Sequence, residues 1–550
     1  MHKDAKKTKF MFWAALLIVI LGLTAYFNSL GNEFIWDDAV LVRDNLYIRD
    51  ASHIGNLFLE DIAQGANARL GFWRPLQMLT YMWDYASWGL APAGYHLTNI
   101  SVHIFTALLI YWLANTLFAN PAVSLLAGVL FAVHPVHTET VAYISGRAES
   151  LAALFMLLAY IFYIKALQRP KPLLYLGVLL SAFLAVLSKE YACVLPLLLL
   201  VYHYVFRKRL RIWLFLLALA PLIIIALFRM NALASLFYGA FYENNLFRRI
   251  PGFFAAVAGY LRLLFFPVNL HMDYGNQFFS LSHPLVLSGL SATFLLLFWA
   301  HKKRNSNKLI TFCVHWFFVA LLPVSGVYPM TRAYMAEHWV YVASVGFFIV
   351  AAYGLYYLYT VRRLKLLAAL LAVCAVSFYT ALTIKQNTYW KDRVTFYEHA
   401  RKFSPHSLAI ANNLCGAYVD AGKPGLAVSM CKEAISINPF FAPAYCNLGN
   451  AYKHLKQSQK AIAAYEQAVA LEQYYEYPHL MLGDMYLSLG DSNRAIQEYK
   501  KALSINPRYA LAYVRLGDVY AVGGRKQEAL DCYQKAKAID PHITINNALK

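Results

Sequence analysis

Two adjacent carboxylates, Asp37 and Asp38, follow the first long apolar segment of the chain. A pair of acids at a membrane surface can deprotonate a hydroxyl group, hold a divalent cation or stabilise an oxocarbenium-like centre. Each acid also tends to raise the pKa of the other. Two solvated loop acids would give the same sequence. Asp37 and Asp38 are therefore candidate catalytic residues and a conceivable site for a divalent metal, whose presence the sequence leaves unknown.

A second group of polar residues lies between two apolar segments and comprises His134, His137, Glu139, Arg147 and Glu149. Ionisable groups are costly near lipid unless they face a cavity. A zinc site is one interpretation, although Pro135 interrupts the histidines and there is no helical His-x-x-x-His pair. Helix capping with buried hydrogen bonds is another. A third, which we favour, is a pocket for a sugar and its phosphate.

Basic residues would complete such a pocket. Arg147 and Lys189 suit a phosphate leaving group because a guanidinium binds it bidentately and an ammonium acts as a point charge. Arg332 is a further candidate. Each could instead extend to lipid headgroups or pair with a nearby glutamate. The predicted donor site consists of His134, His137, Glu139, Arg147, Lys189 and Arg332.

The composition places most of this chain in a membrane, since 60% of its 550 residues are hydrophobic and only 14% are charged. Apolar blocks of roughly 20 residues recur between residues 11 and 384, and that length crosses a bilayer as a helix. Residues 1–384 are therefore predicted to form an all-α polytopic membrane domain with about eleven transmembrane helices. The formal net charge of +20 is attributed to cytoplasmic loops, so no nucleic-acid partner is expected.

The predicted spans are 11–30, 97–118, 122–134, 149–166, 172–188, 191–206, 211–229, 283–300, 308–324, 338–360 and 364–384. Basic clusters at 3–9, 165–171, 207–211, 302–308 and 362–365 belong on the cytoplasmic side by the positive-inside rule. The N-terminus is then cytoplasmic and the C-terminus extracytoplasmic. Residues 251–267 are interpreted as re-entrant or interfacial, with a twelfth crossing as the competing model.

This topology predicts that five polar segments share the outer face. They are residues 31–95, 134–149, 188–190, 230–282 and 323–338. Nucleotide sugars are generally lacking on that side, so a sugar donor used there would be linked to a lipid.

From Leu408 the sequence repeats every 34 residues, which is the length of a two-helix tetratricopeptide unit. Four repeats are predicted over 408–543, after a connecting half-repeat at 385–407 and before a tail at 544–550. Such an array is an α-solenoid. Cys415 and Cys431 occupy positions where a repeat normally has glycine and an aromatic residue, and they could form a disulfide or remain two buried thiols.

The first helix of each repeat carries polar residues able to pair with the backbone of an extended peptide. The predicted acceptor-binding residues are Asn412, Asn447, Asn450, Asp484 and Asp518. A solvated helix face without a ligand would look the same in a soluble repeat.

Several short motifs occur along the chain in an order that is typical of one family. They are Phe34-Ile-Trp-Asp-Asp38, Trp73-Arg-Pro-Leu76, Tyr95-His-Leu-Thr-Asn99, Phe131-Ala-Val-His-Pro-Val-His-Thr-Glu139, Gly146-Arg-Ala-Glu149, Leu187-Ser-Lys-Glu190 and Trp390-Lys-Asp392, the last leading into the repeats. Together they resemble the transmembrane and tetratricopeptide-repeat-containing protein O-mannosyltransferases, within the polytopic GT-C glycosyltransferases. The motif at Trp73 is expected to shape the outer loop rather than react.

The resemblance implies a polyprenyl- or dolichyl-phosphate-linked sugar as donor, attack by a Ser or Thr hydroxyl of a protein, and an acid of the first outer loop as base. Asp37 and Asp38 would be the base and its partner, in an order that the sequence leaves open. His338 stands where an arginine is expected in eukaryotic members, which favours a bacterial relative in the inner membrane over one in the endoplasmic reticulum.

The predicted function is transfer of a hexose such as mannose from a polyprenyl phosphate to extracytoplasmic proteins, with the repeats binding the acceptor. Transfer to a lipid or glycan acceptor is one alternative. Another is a non-catalytic membrane scaffold that recruits proteins through its repeats.

Overall fold

The computed structural model describes residues 2–232, 245–275, 277–327, 333–541 and 543–545. Over these ranges the chain is helical and contains no β-strand, which confirms the all-α prediction. The chain divides into two compact units, Met1–Asp392 and Arg393–Lys550. The division falls eight residues beyond the predicted end of the membrane domain at residue 384.

Fifteen α-helices make up the first unit among the described residues. In order they are α1 His2–Tyr26, α2 Ile54–Leu59, α3 Pro75–Trp88, α4 Pro92–Phe118, α5 Pro121–Val133, α6 Thr138–Val141, α7 Arg147–Gln168, α8 Pro172–Ser188, α9 Leu195–Phe206, α10 Ile212–Ala232, α11 Leu246–Phe265, α12 Pro284–Lys303, α13 Lys308–Leu321, α14 Ser344–Thr360 and α15 Lys365–Asn387.

Fewer helices than eleven are long enough to cross a bilayer unaided. Among the described residues five are long and apolar enough: Thr8–Gly31, Pro92–Phe118, Ile144–Gln168, Pro284–Lys303 and Arg362–Trp390. A sixth arises if Pro121–Val133 and Pro135–Val141, which meet at a 54° bend, count as one span. The five remaining predicted spans correspond to shorter apolar helices: Pro172–Ser188, Glu190–Phe206, Ile212–Ala226, Lys308–Val324 and Ser344–Thr360.

Helix α11 covers most of the segment for which a re-entrant or interfacial path is predicted. It is not among the apolar helices, because Arg248, Arg249 and Arg262 interrupt its hydrophobic residues. One face is nevertheless buried, with Ala255, Val257 and Leu263 almost fully enclosed, among others. Such an amphipathic helix packs one side on the bundle and leaves a polar side elsewhere. The described geometry therefore agrees with a helix that does not cross as a simple apolar span.

The predicted basic clusters lie at helix ends. Four of them occupy the junctions between consecutive helices α7 and α8, α9 and α10, α12 and α13, and α14 and α15. The fifth is the start of α1. The opposite ends of α1, α7, α8, α12 and α13 adjoin the predicted polar segments.

The second unit begins with α16, Arg393–Arg401, and continues as four helix pairs. These are α17 Leu408–Asp420 with α18 Pro424–Ile437, α19 Ala442–His454 with α20 Ser458–Leu471, α21 Glu476–Ser488 with α22 Ser492–Ile505, and α23 Ala510–Val522 with α24 Lys526–Ile539. The predicted 34-residue repeat is confirmed as two helices per period.

One contact recurs in the last three pairs. Gly449, Gly483 and Gly517 each lie against the ring of a tyrosine sixteen residues later, Tyr465, Tyr499 and Tyr533 respectively, so closely that an added Cβ would overlap the ring. The first pair has Cys415 and Cys431 at these two positions, and they form a disulfide. A covalent bond there replaces the contact between glycine and tyrosine.

This packing predicts a contrast between two glycines of the repeats. Gly483→Ala should destabilise the second unit by about 1–3 kcal/mol, because Tyr499 is fully buried and its ring cannot retreat. Gly425→Ala, in the first turn of α18, should be neutral or stabilising by about 0.4–1 kcal/mol, since no atom lies within 4 Å of its Cβ position. Urea unfolding of the two variants would measure both effects. Equal destabilisation would contradict this account of the packing.

Candidate active site

Asp38 is fixed by three hydrogen bonds. Its Oδ1 accepts from the Ser145 amide at 2.8 Å and from the Ser145 hydroxyl at 2.5 Å, and its Oδ2 accepts from the Ile35 amide at 3.1 Å. The side chain is fully buried. Burial raises the pKa of Asp38 to about 7, although these hydrogen bonds favour the ionised form. Asp38 therefore ties the loop after α1 to the turn before α7.

Asp37 has different surroundings, although it is the next residue. It is partly exposed, and the side chains of Tyr143 and Arg74 interact with it. Burial raises the pKa of Asp37, while the Tyr143 hydroxyl and the Arg74 charge act against that rise. Asp37 is thus the more exposed acid of the pair.

Arg147 does not have the surroundings of a phosphate ligand. The guanidinium is completely buried and forms an ion pair with Asp84 at 2.6 Å. It also donates to Asn99 Oδ1 at 2.6 Å, to the Tyr95 carbonyl at 2.8 Å and to Thr80 at 3.0 Å. All three of its nitrogens thus have protein partners. The structure gives Arg147 the role of joining α3 and α4 to α7, in place of the predicted contact with the donor.

Residues of α3 and α4 also bind the turn before α7. Asn99 donates to the carbonyls of Val141, Tyr143 and Ile144, and Tyr81 donates to the Ile144 carbonyl at 3.0 Å. The guanidinium of Arg147 lies over the Tyr81 ring at 4.6 Å. The turn that supplies Ser145 to Asp38 is therefore built on the Arg147 network.

Lys189 pairs with Glu149 and is also within electrostatic reach of Glu139. Arg74 forms a bidentate pair with Glu190, with contacts of 2.9 and 3.2 Å, and interacts further with Glu149. The sequence motif at Trp73 was expected only to shape the loop. Its arginine also interacts electrostatically with Asp37, which sequence spacing alone does not reveal.

His134 and His137 lie in the helical core. Nε2 of His134 donates to the Leu264 carbonyl at 3.2 Å, and Nδ1 of His137 donates to the Phe131 carbonyl at 3.0 Å. Both rings are fully buried and pack against Phe348. The contacts favour the interpretation of buried hydrogen bonds over that of a sugar or zinc site. Within the described ranges no group of three or more His, Cys, Asp or Glu residues could hold a metal.

Glu139, unlike the neighbouring His134 and His137, binds a residue of another predicted polar segment, His338. Its Oε2 accepts from the His338 amide at 2.9 Å, and its Oε1 accepts from Nδ1 of the His338 ring at 2.8 Å. The His338 side chain is 27% exposed. Arg332, the remaining predicted cation, lies outside the described residues.

We call the connected charged groups of the first unit the charged cluster: Asp37, Arg74, Glu139, Glu149, Lys189, Glu190 and His338. These residues come from four of the five predicted outer segments. The fifth joins them where the His271 amide donates to Glu337 at 2.6 Å, since Glu337 precedes His338 and interacts electrostatically with Glu139. The convergence predicted from charge patterning is therefore present in the structure.

The predicted acceptor-binding residues lie on the first helices of the repeats. Three of them accept a hydrogen bond from a tyrosine of their own repeat: Asn450 from Tyr465, Asp484 from Tyr499 and Asp518 from Tyr533, at 2.7–2.9 Å. Asn447 donates to Asn412 at 3.0 Å. These groups support the helix pairs, and any peptide would have to use their remaining hydrogen-bonding positions.

Models of the tetratricopeptide repeat match residues 442–475 and 510–543, and a TPR repeat model matches residues 483–524. Among solved structures, the crystal structure of MamA is 30% identical and covers 27% of this chain and 86% of its own, with a TM-score of 0.25. The crystal structure of TTC0263, a thermophilic TPR protein of Thermus thermophilus, is 23% identical over 30% of this chain and 88% of its own, with a TM-score of 0.26.

Curated relatives extend over the first unit as well. The chain is 26% identical over 448 residues to protein O-mannosyl-transferase F38B6.6 of Caenorhabditis elegans, covering 78% of this chain and 63% of the relative. It is 26% identical over 491 residues to protein O-mannosyl-transferase TMTC3 of Mus musculus, covering 81% and 53%. The chain thus spans less than two thirds of the length of each. The predicted family resemblance is confirmed: the chain is a homologue of the TMTC protein O-mannosyl-transferases and carries tetratricopeptide repeats.

Proposed function

We propose that this chain is an integral membrane glycosyltransferase that moves a hexose such as mannose from a polyprenyl phosphate to Ser or Thr hydroxyls of extracytoplasmic proteins. The observation that carries the proposal is the environment of Asp37, a partly exposed acid with a cation beside it and a fixed acid behind it. The similarity to proteins named protein O-mannosyl-transferases supports the same chemistry.

In this proposal Asp37 is the base. Asp38 is less available to the acceptor hydroxyl, because it is buried and its oxygens already accept three hydrogen bonds from Ile35 and Ser145. Asp37 would remove the proton of the acceptor hydroxyl while that oxygen bonds to the anomeric carbon. The bond between the anomeric carbon and the phosphate oxygen breaks with its electron pair, which leaves a lipid phosphate. A single displacement of this kind inverts the anomeric centre.

The leaving phosphate requires positive charge. Arg74 and Lys189 are the cations of the charged cluster, and Arg74 is the one that interacts with Asp37. Each is paired with a carboxylate, Glu190 and Glu149 respectively, which fixes its position before the donor arrives. A phosphate would share these cations with their carboxylate partners. Donors held in place before reaction stabilise developing charge without further reorganisation.

The repeats are proposed to present the acceptor polypeptide, on the extracytoplasmic side of a bacterial inner membrane. The disulfide between Cys415 and Cys431 supports an oxidising compartment for this unit. The basic helix junctions support the opposite side as cytoplasmic.

The first test compares two single substitutions in transfer from polyprenyl-phosphate mannose to a threonine-containing peptide. Asp37→Asn should lower the rate by about 100-fold or more without loss of thermal stability, since it removes the base and few contacts. Asp38→Asn should lower both the rate and the thermal stability, because an amide cannot accept all three hydrogen bonds that the carboxylate accepts. An active Asp37→Asn variant with inactive but stable Asp38→Asn would reverse the two roles.

Glycoproteomics of cells carrying wild type or Asp37→Asn identifies the acceptor. Loss of a hexose from Ser or Thr of extracytoplasmic proteins is the expected result. Unchanged protein glycans with altered lipid-linked or surface polysaccharide would indicate a lipid or glycan acceptor. No change in either, together with a phenotype that depends only on the repeats, would indicate a scaffold.

The role assigned to Arg147 has its own test. Asp84→Asn leaves the Arg147 charge buried without its partner, so the free energy of unfolding should fall by about 3–5 kcal/mol. Thermal unfolding of the solubilised protein would measure the loss. A stable Asp84→Asn variant with a raised KM for the lipid donor would instead indicate that Arg147 binds the donor.

A further inference from the structure

Three aromatic rings of the first unit form a continuous stack beside Asp37. The Trp36 and Tyr143 rings are stacked with centroids 5.7 Å apart and planes inclined by 17°. The Tyr143 and Trp390 rings are stacked at 5.5 Å and 30°. Tyr143 thus stacks with two aromatic rings, and Tyr143 and Trp390 are both buried. These two contacts restrict rotation of the Tyr143 side chain.

The backbone at one end of this stack is strained. Trp36 has φ of +50°, a conformation that large side chains rarely adopt. Strain of this kind persists only where surrounding contacts maintain it. The residue concerned immediately precedes Asp37. The strain fixes the direction in which the chain enters the acid pair.

The hydroxyl of Tyr143 is buried and makes no hydrogen bond of standard geometry among the described residues. Buried hydroxyl groups without a partner are uncommon and call for an explanation. The side chains around it are those of Asp37, Asp38 and Ser145. Asp38 already accepts hydrogen bonds from Ser145 and Ile35 and is fully buried, whereas Asp37 is partly exposed and is the acid more available to this hydroxyl.

We infer that Tyr143 is a positioning residue, whose hydroxyl the Trp36–Tyr143–Trp390 stack fixes against the Asp37 carboxylate so that the base is oriented toward the acceptor hydroxyl. This inference rests on the proposed function, in which Asp37 is the base. Burial raises the pKa of the Tyr143 hydroxyl, so it stays protonated and able to donate. The presence of Asp37 and Asp38 alone would not have predicted the position of Tyr143 or the two rings that stack with it.

Three groups govern the charge on Asp37 in this arrangement. Arg74 faces it from the start of α3, Tyr143 from the turn before α7, and Asp38 from the adjacent position in the chain. A hydroxyl that donates to a carboxylate stabilises the ionised form and lowers its pKa. Removal of the Tyr143 hydroxyl should therefore raise the pKa of Asp37. The base must be ionised to act, so the acidic limb of the activity profile should move to higher pH.

The test is the pH dependence of kcat/KM for Tyr143→Phe in the full-length solubilised protein, with polyprenyl-phosphate mannose and a threonine-containing peptide. The acidic limb should move up by about one pH unit, and the high-pH plateau should fall as well, because the ionised base is less well oriented. Trp390→Leu, which keeps the hydroxyl and removes one outer ring, should give a smaller shift in the same direction. An unchanged limb in Tyr143→Phe would overturn the inference, as would an equal loss of activity at every pH.

Tyr163→Phe is the matched control, since its buried hydroxyl contacts His203 at 2.8 Å at the opposite end of α7. It should leave the limb in place. A second readout does not need activity: a carbodiimide labels protonated carboxyl groups, and mass spectrometry follows the labelling of Asp37. Labelling should persist to higher pH in Tyr143→Phe than in wild type. If wild type transfers no sugar yet labelling shifts, the proposed function fails and only the interaction between Tyr143 and Asp37 is retained; if wild type is active and neither readout shifts, the inference fails alone.

Discussion

The ion pair between Arg147 and Asp84 is the interaction on which the described site depends. A guanidinium without water must be matched by a charge and by acceptors for its remaining protons, because an unpaired buried ion is strongly unfavourable. Asp84, Asn99, Thr80 and the Tyr95 carbonyl supply that match. These partners fix α3 and α4 against the start of α7. The same helices fix the turn between α6 and α7 through Asn99 and Tyr81. Asp38 is bound to Ser145 of that turn.

Each basic side chain in the site is paired with a carboxylate. Arg74 pairs with Glu190 and Lys189 with Glu149, and the His338 ring donates to Glu139. Pairing keeps long basic side chains in single positions at moderate desolvation cost. A ligand phosphate entering such a cluster meets cations that are already oriented, and the acids beside them limit how tightly the product phosphate is held.

Local patterns predicted the repeats well because each repeat is built from contacts within a few dozen residues. The period of 34 residues, the helix pairs and the unusual cysteines could all be read from the sequence. The acid pair and the convergence of the polar segments could be predicted from charge patterning. The roles of Arg147 and Arg74 could not, since their partners Asp84 and Glu190 are 63 and 116 residues away. Residue type alone cannot distinguish a cation that binds a ligand from one that binds the protein.

The cysteine pair makes the first repeat unlike the other three. In those, the fit of a glycine against a tyrosine ring closes the helix pair, and this contact forms wherever the chain folds. In the first repeat, a disulfide between Cys415 and Cys431 joins the two helices at the same positions. The thiol–disulfide balance of the surroundings thus decides whether that covalent link is present. The first repeat is sensitive to the redox chemistry of its compartment, whereas its neighbours are joined at these positions by packing alone.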